Sequence, residues 1–136
     1  MTVEELNTLC KNTMIEYLGI EFIEISDKNI VAKMPVDNRT IQPMKKLHGG
    51  AILTLAETIG SAGSTTLIDN SQFAVFGVEI NATHIVSTTE NEVFGMGTII
   101  HQGKNTHVWE IKVEDKTGKL LSICRLTNRI VPLIKK

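Results

Sequence analysis

The chain has 136 residues, 42% hydrophobic and 21% charged, with a formal net charge of −1. That length suits one domain, residues 1–136, with a sizeable core. The near-zero charge creates no field that would draw nucleic acid or an acidic membrane. No apolar run reaches transmembrane length. The first residues carry Glu4 and Glu5 and no apolar signal core. Cys10 and Cys124 stand in unrelated segments without metal-ligand spacing, and read as buried free thiols of a cytoplasmic protein.

Residues 3–17 have helical periodicity in Val3, Leu6, Leu9/Cys10 and Met14. Thr2 and Glu5 form a capping-box pattern, and Gly19 ends the helix. Residues 20–25 alternate as a strand, 27–29 turn, and 30–36 return with Ala32, Met34 and Val36 on one parity. A loop over 37–46 carries Pro43. A helix follows from about Leu47 to Asp69-Asn70. The rest is strand-like: 73–86, 93–100, 106–114 and 120–131, separated by turns at 89–92, 102–105 and 116–119. Gly95 and Gly97 predict close packing or a bulge. His107, Trp109, Ile111 and Val113 share one face, so His107 is expected to be a packed strand residue. The order is α-β-β-α-β-β-β-β, with four hairpin-linked strands after the helix. This predicts an α+β fold, a curved antiparallel sheet wrapped around a long central helix.

The central helix is unusual. From Leu47 to Ile68 its one charged side chain is Glu57. An ordinary surface helix carries a charged face, so this one is expected to be buried nearly all round. A carboxylate there is costly unless it has a task. At ~100° per residue, Ile52, Leu55, Ile59, Ala62 and Thr66 form a core stripe with Ala56 and Gly63 at its edge. Gly50, Thr54, Glu57, Ser61 and Ser64 form a small polar face opposite. That face is expected to be a site, or an interface containing one.

Gln42-Pro43, Leu47-His48-Gly49-Gly50 and Leu55-Ala56-Glu57-Thr58-Ile59-Gly60-Ser61 together resemble the hot-dog-fold acyl-CoA thioesterases of the phenylacetate-pathway type. Within these the chain is most similar to the 1,4-dihydroxy-2-naphthoyl-CoA thioesterases of menaquinone biosynthesis. The segments from Gly77 to His84, Gly103 to Glu110 and Cys124 to Thr127 agree, so the resemblance covers roughly residues 14–131. It implies that Glu57 is the catalytic carboxylate, as nucleophile or as general base on water. It implies that Gln42, His48 and the Gly49 amide polarise the thioester carbonyl, and that Ser61 orients the water or the carboxylate. Gly50, Gly77, the segment His84, Ile85, Val86 and Ser87, and the turn His101, Gln102, Gly103, Lys104, Asn105 and Thr106 are implied contacts for the acyl group and the coenzyme A arm. Val86 stands where close relatives carry Arg, which removes a phosphate or acyl contact. No cofactor and no metal are implied.

The chemistry can be checked without the family. Thioester hydrolysis needs a nucleophile at the carbonyl carbon and donors at the developing oxyanion. A helix starting near His48-Gly49-Gly50 offers free N–H groups and a positive dipole end. Yet Gly50 and Glu57 lie about 10 Å apart along one helix, too far to act on one carbonyl. Two antiparallel copies of the helix close that gap. The expectation is a homodimer with shared sites, Gln42, His48 and Gly49 from one subunit and Glu57 and Ser61 from the other, and then a dimer of dimers. The partner is an acyl-CoA substrate, neither nucleic acid nor membrane. The competing readings are a non-catalytic acyl-CoA-binding domain and a hydroxyacyl-thioester dehydratase.

Overall fold

The structure, a computed structural model, describes residues 1–134. The predicted helix over 3–17 is instead two, α1 (Val3–Leu9) and α2 (Met14–Tyr17). Asn12 takes a left-handed φ of 63°, which no right-handed helix can carry. Thr13 then caps α2, its hydroxyl accepting from the Ile15 N–H. The capping box at Thr2 and Glu5 forms as expected. Of the two thiols, Cys124 is buried but Cys10 is only half-buried.

Strands β1 (Glu21–Ile25) and β2 (Asn29–Pro35) form a hairpin. Alternation buries Ile30, Ala32 and Met34 and turns Lys33 outward. Helix α3 (Gly49–Leu67) follows, then β3 (Phe73–His84), β4 (Glu92–Gln102), β5 (Thr106–Asp115) and β6 (Leu120–Pro132). All pairings are antiparallel, in the order β1-β2-β4-β5-β6-β3. This is the expected α+β architecture, a hot-dog fold with α3 laid across one face of the sheet.

The expectation of four hairpin-linked strands is corrected. Only β4, β5 and β6 are joined that way. Helix α3 carries the chain from β2 across the sheet, so β3 emerges at the far edge and pairs with β6. The strand stops at His84 rather than Val86, and residues 85–91 return the chain to β4, beside β2.

The buried stripe of α3 is also turned from its predicted position. Ile52, Leu55, Ala56, Ile59, Gly60, Gly63 and Ser64 are buried, while Ala62 and Thr66 are half-buried. Close approach is the reason. A Cβ on Gly63 would lie 2.5 Å from Trp109 Cη2, and one on Gly60 2.5 Å from Leu126 Cδ2. The fit is reciprocal on β4, where a Cβ on Gly95 would lie 2.5 Å from Ile59 Cδ1. Ser64, expected on the polar face, is therefore inside. Its hydroxyl oxygen accepts from Trp109 Nε1 at 2.8 Å and Asn128 Nδ2 at 2.9 Å. Both lone pairs are then taken, so its proton goes to His107 Nδ1, 2.8 Å away. His107 is packed, as expected. Nor is α3 buried all round, for Glu57 is exposed and Thr54, Thr58 and Ser61 are half-buried in this chain.

Candidate active site

The loop before α3 is folded tightly. Lys45 has a left-handed φ of 66°. The Gln42 N–H donates to Lys46 O, the Lys45 N–H to Gln42 O, and the Gln42 side-chain oxygen accepts from the Met44 N–H. The His48 N–H donates to Thr40 O at 2.8 Å. These bonds hold Gln42 and His48 on either side of the short bridge between Ile41 and Leu47.

His48 is the N-cap of α3, and its Nδ1 accepts from the Gly50 N–H at 2.7 Å. In the neutral imidazole the proton is then on Nε2, which faces outward as a donor. Among the described residues no acceptor takes the Gly49 N–H. The N-terminus of α3 thus presents two donors, one imidazole and one amide, at its positive dipole end.

His84 closes one side of this corner. A Cβ on Gly49 would lie 2.8 Å from His84 Nε2, so any larger residue there would push the ring aside. Ser122 Oγ donates to Thr83 O at 3.1 Å and lies 3.0 Å from His84 Nδ1. His84, Ile85, Val86 and Ser87 also line a cleft of about 290 Å³ with Leu47, Gly49 and Ile52.

Glu57 stands two turns further along α3. Its carboxylate rests over Gly77 of β3, where a Cβ would come within 3.1 Å of Oε2. On its other flank is a cavity of about 700 Å³. Leu53, Thr54, Glu57, Thr58, Ser61, Ala62 and Thr65 form its α3 wall. Leu6, Leu9, Cys10, Thr13, Met14, Ile15 and Phe22 form the largely apolar wall opposite. This N-terminal wall is absent from the predicted site. The sequence reads Leu9, Cys10 and Met14 as one helix stripe, and the exposure of Leu9 and Met14 is evident only in the structure.

The turn from His101 to Thr106 lies elsewhere. It is closed by Gly103 N–H to Thr106 O at 2.9 Å and joined to β6 by Ile130 N–H to Asn105 O at 2.8 Å. The next residue, His107, contacts Ser64, about 22 Å along the helix from Gly49. One chain thus separates the predicted site into three groups. Gln42, His48, Gly49, Gly50 and residues 84–87 gather at the start of α3. Glu57, Ser61 and Gly77 gather at its middle. Residues 101–106 stand by its end.

Burial raises the Cys10 thiol above its ordinary range. His107 is lowered from its ordinary value, chiefly because burial disfavours the cation and secondarily because His101 is near. Among the described residues, no three His, Cys, Asp or Glu side chains gather as metal ligands would, and no helix is long and apolar enough to cross a membrane.

A helix N-terminus rich in donors, an open carboxylate and this sheet order are what comparison with known proteins should explain. Residues 44–122 match the thioesterase superfamily. The chain belongs to that family. Crystallised thioesterase PA1618 of Pseudomonas aeruginosa superposes with a TM-score of 0.95 at 41% identity, covering 98% of this chain and 96% of that one. The 1,4-dihydroxy-2-naphthoyl-CoA hydrolase of Escherichia coli is 41% identical over 131 residues, 96% of each protein. The PaaI protein of the E. coli phenylacetic acid degradation operon shares the fold with a TM-score of 0.81 at 18% identity, covering 96% of both chains. The hot-dog thioesterase resemblance in the sequence is met, and this thioesterase is a thioester hydrolase by family.

Proposed function

We propose that this thioesterase hydrolyses an aromatic acyl-CoA to the free acid and coenzyme A, at sites shared between two copies of one domain, residues 1–136. The observation that carries the reading is the placement of Glu57. It is the one charged group on the open stripe of α3, between a largely apolar cavity and an edge strand.

The Gln42 amide, the His48 Nε2–H and the Gly49 N–H take the thioester oxygen as negative charge develops on it. Glu57 removes a proton from water as the water oxygen bonds to the carbonyl carbon, or attacks that carbon itself and is released by water afterward. The C–S bond breaks, and the leaving thiolate takes up a proton. Ser61 orients the water or the carboxylate. Gly77, residues 84–87 and the 101–106 turn contact the acyl group and the coenzyme A arm.

A partner is needed because the donors and Glu57 of one chain are about 10 Å apart. Strand β3 supports one. It is 12 residues long and, among the described residues, has an unpaired edge, with Phe76 and Val78 exposed on it. Such an edge is a template for another strand, and a second β3 running antiparallel is the simplest. That pairing adjoins Gly77, and so Glu57. Two such dimers then pair into a tetramer. The aromatic acyl class is supported by the volume and largely apolar wall of the cavity, and by the relative named as a 1,4-dihydroxy-2-naphthoyl-CoA hydrolase. The setting consistent with that relative is menaquinone biosynthesis in the cytoplasm.

Mixing inactive Glu57→Ala with inactive His48→Ala subunits tests the shared site. Random exchange makes half the dimers mixed, each with one intact site, so activity should recover to about a quarter of the wild-type value. No recovery after exchange confirmed by mass spectrometry would overturn the shared site. A panel of 1,4-dihydroxy-2-naphthoyl-, benzoyl-, phenylacetyl- and fatty acyl-CoA, with free thiol followed, tests the substrate. Tight binding with no turnover would favour an acyl-CoA-binding domain instead.

A further inference from the structure

The N-terminal segment is built as a strap. Leu6 is buried, and the Asn7 side chain pins α1 to β1 through two bonds to Phe22, Nδ2 to O at 3.0 Å and N–H to Oδ1 at 2.9 Å. At the far end, Arg39 Nη1 donates to Tyr17 O at 3.0 Å. Between these anchors the chain turns through Asn12 and leaves Leu9 63% and Met14 62% exposed. Both side chains line the cavity beside Glu57, with the half-buried Cys10 between them. The cavity is thus two-sided. Along α3 the hydroxyls and the carboxylate are interspersed with Leu53 and Ala62, while the strap's surface is apolar apart from Thr13.

A thioester whose carbonyl carbon is at Glu57 must send its acyl group away from the coenzyme A arm. The apolar wall borders the same cavity as that carboxylate. We propose that the strap is the gauge for acyl size, with Leu9, Cys10 and Met14 as specificity-determining residues. This rests on the proposed thioesterase reaction at Glu57 and adds which residues select the substrate. Apolar walls discriminate by volume, and even one methylene changes rates by about 10-fold or more in a well-fitted pocket.

The test uses full-length Met14→Trp and Leu9→Ala with acetyl-CoA, benzoyl-CoA and 1,4-dihydroxy-2-naphthoyl-CoA. Met14→Trp should lower kcat/KM for the bicyclic substrate by about 10-fold or more while acetyl-CoA stays within about twofold. Leu9→Ala should shift preference toward the bulkier acyl group. An equal fall on all three substrates, or no change in either variant, overturns the proposal. A second readout needs no turnover. Alkylation of Cys10 by iodoacetamide, followed by peptide mass spectrometry, should slow severalfold in 1,4-dihydroxy-2-naphthoate and not in acetate. Equal rates in both would overturn the strap as the acyl wall. If the wild-type protein cleaves no thioester yet Cys10 is protected, the proposed reaction fails while the acyl wall stands.

Discussion

Ser61 and Ser64 lie one turn apart on the same helix and have opposite fates. Ser64 is buried, and its hydroxyl is fully used by Trp109, Asn128 and His107. Ser61 lines the cavity beside Glu57, and none of the described hydrogen bonds involves its hydroxyl. The difference is a rotation about the helix axis, set by which residues let the sheet come close. A buried polar group that is fully satisfied holds elements together. A polar group left open at a cavity is available to a substrate.

The largest test of this contrast is Glu57→Gln. It should lower kcat/KM by about 10²–10⁴-fold, the usual worth of a positioned acid–base group, with the melting temperature unchanged because the side chain is exposed. A matching loss of stability would erase the distinction between the two stripes. Next is Ser64→Ala, which strands the Trp109 and Asn128 donors in the core. The cost is about 1–3 kcal/mol per unsatisfied group, read as a fall in the urea midpoint. Ser61→Ala should cost less than about 0.5 kcal/mol and be seen in kcat. Reversed outcomes would break the comparison.

The smallest effect is in pH. His107 is lowered in the folded state, while in the unfolded chain it titrates near its ordinary value of 6.5. Above that value both states are neutral and the stability is intact. As pH falls below it, the unfolded state takes the proton first, so stability is lost down through the lowered folded value. Denaturant midpoints measured from pH 7.5 to 5.5 should fall, and His107→Gln should flatten the slope.

Much of this was legible beforehand. The alternation of β2 and β5, the capping box at Thr2 and the position where α3 begins are local properties that the sequence carries. The rotation of α3 was not, because Gly60, Gly63 and Ser64 are not hydrophobic. Their burial is dictated by Trp109 and Leu126, far along the chain. The break at Asn12 was missed because the apolar spacing continues through it. In the candidate site, Glu57 and the open N–H groups at the start of α3 stand out from helix chemistry, while the roles of His48 and Gln42 come from the resemblance. The seating of Glu57 over Gly77 and of His84 against Gly49 needed the tertiary structure, and so did the N-terminal wall of the cavity.

The edge position of β3 has a consequence for how the molecule is made. Its described partner, β6, is the last of the described strands. Gly77 must wait for Asn128, and Phe73 for Pro132. During synthesis β3 leaves the ribosome with neither edge paired and its apolar residues uncovered, while the loop that will close it is still being added. Such long-range pairing is slow and exposes the chain to aggregation. The surface beneath Glu57 is therefore completed only when β6 arrives, so no partial chain lacking β6 seats that carboxylate over a paired Gly77.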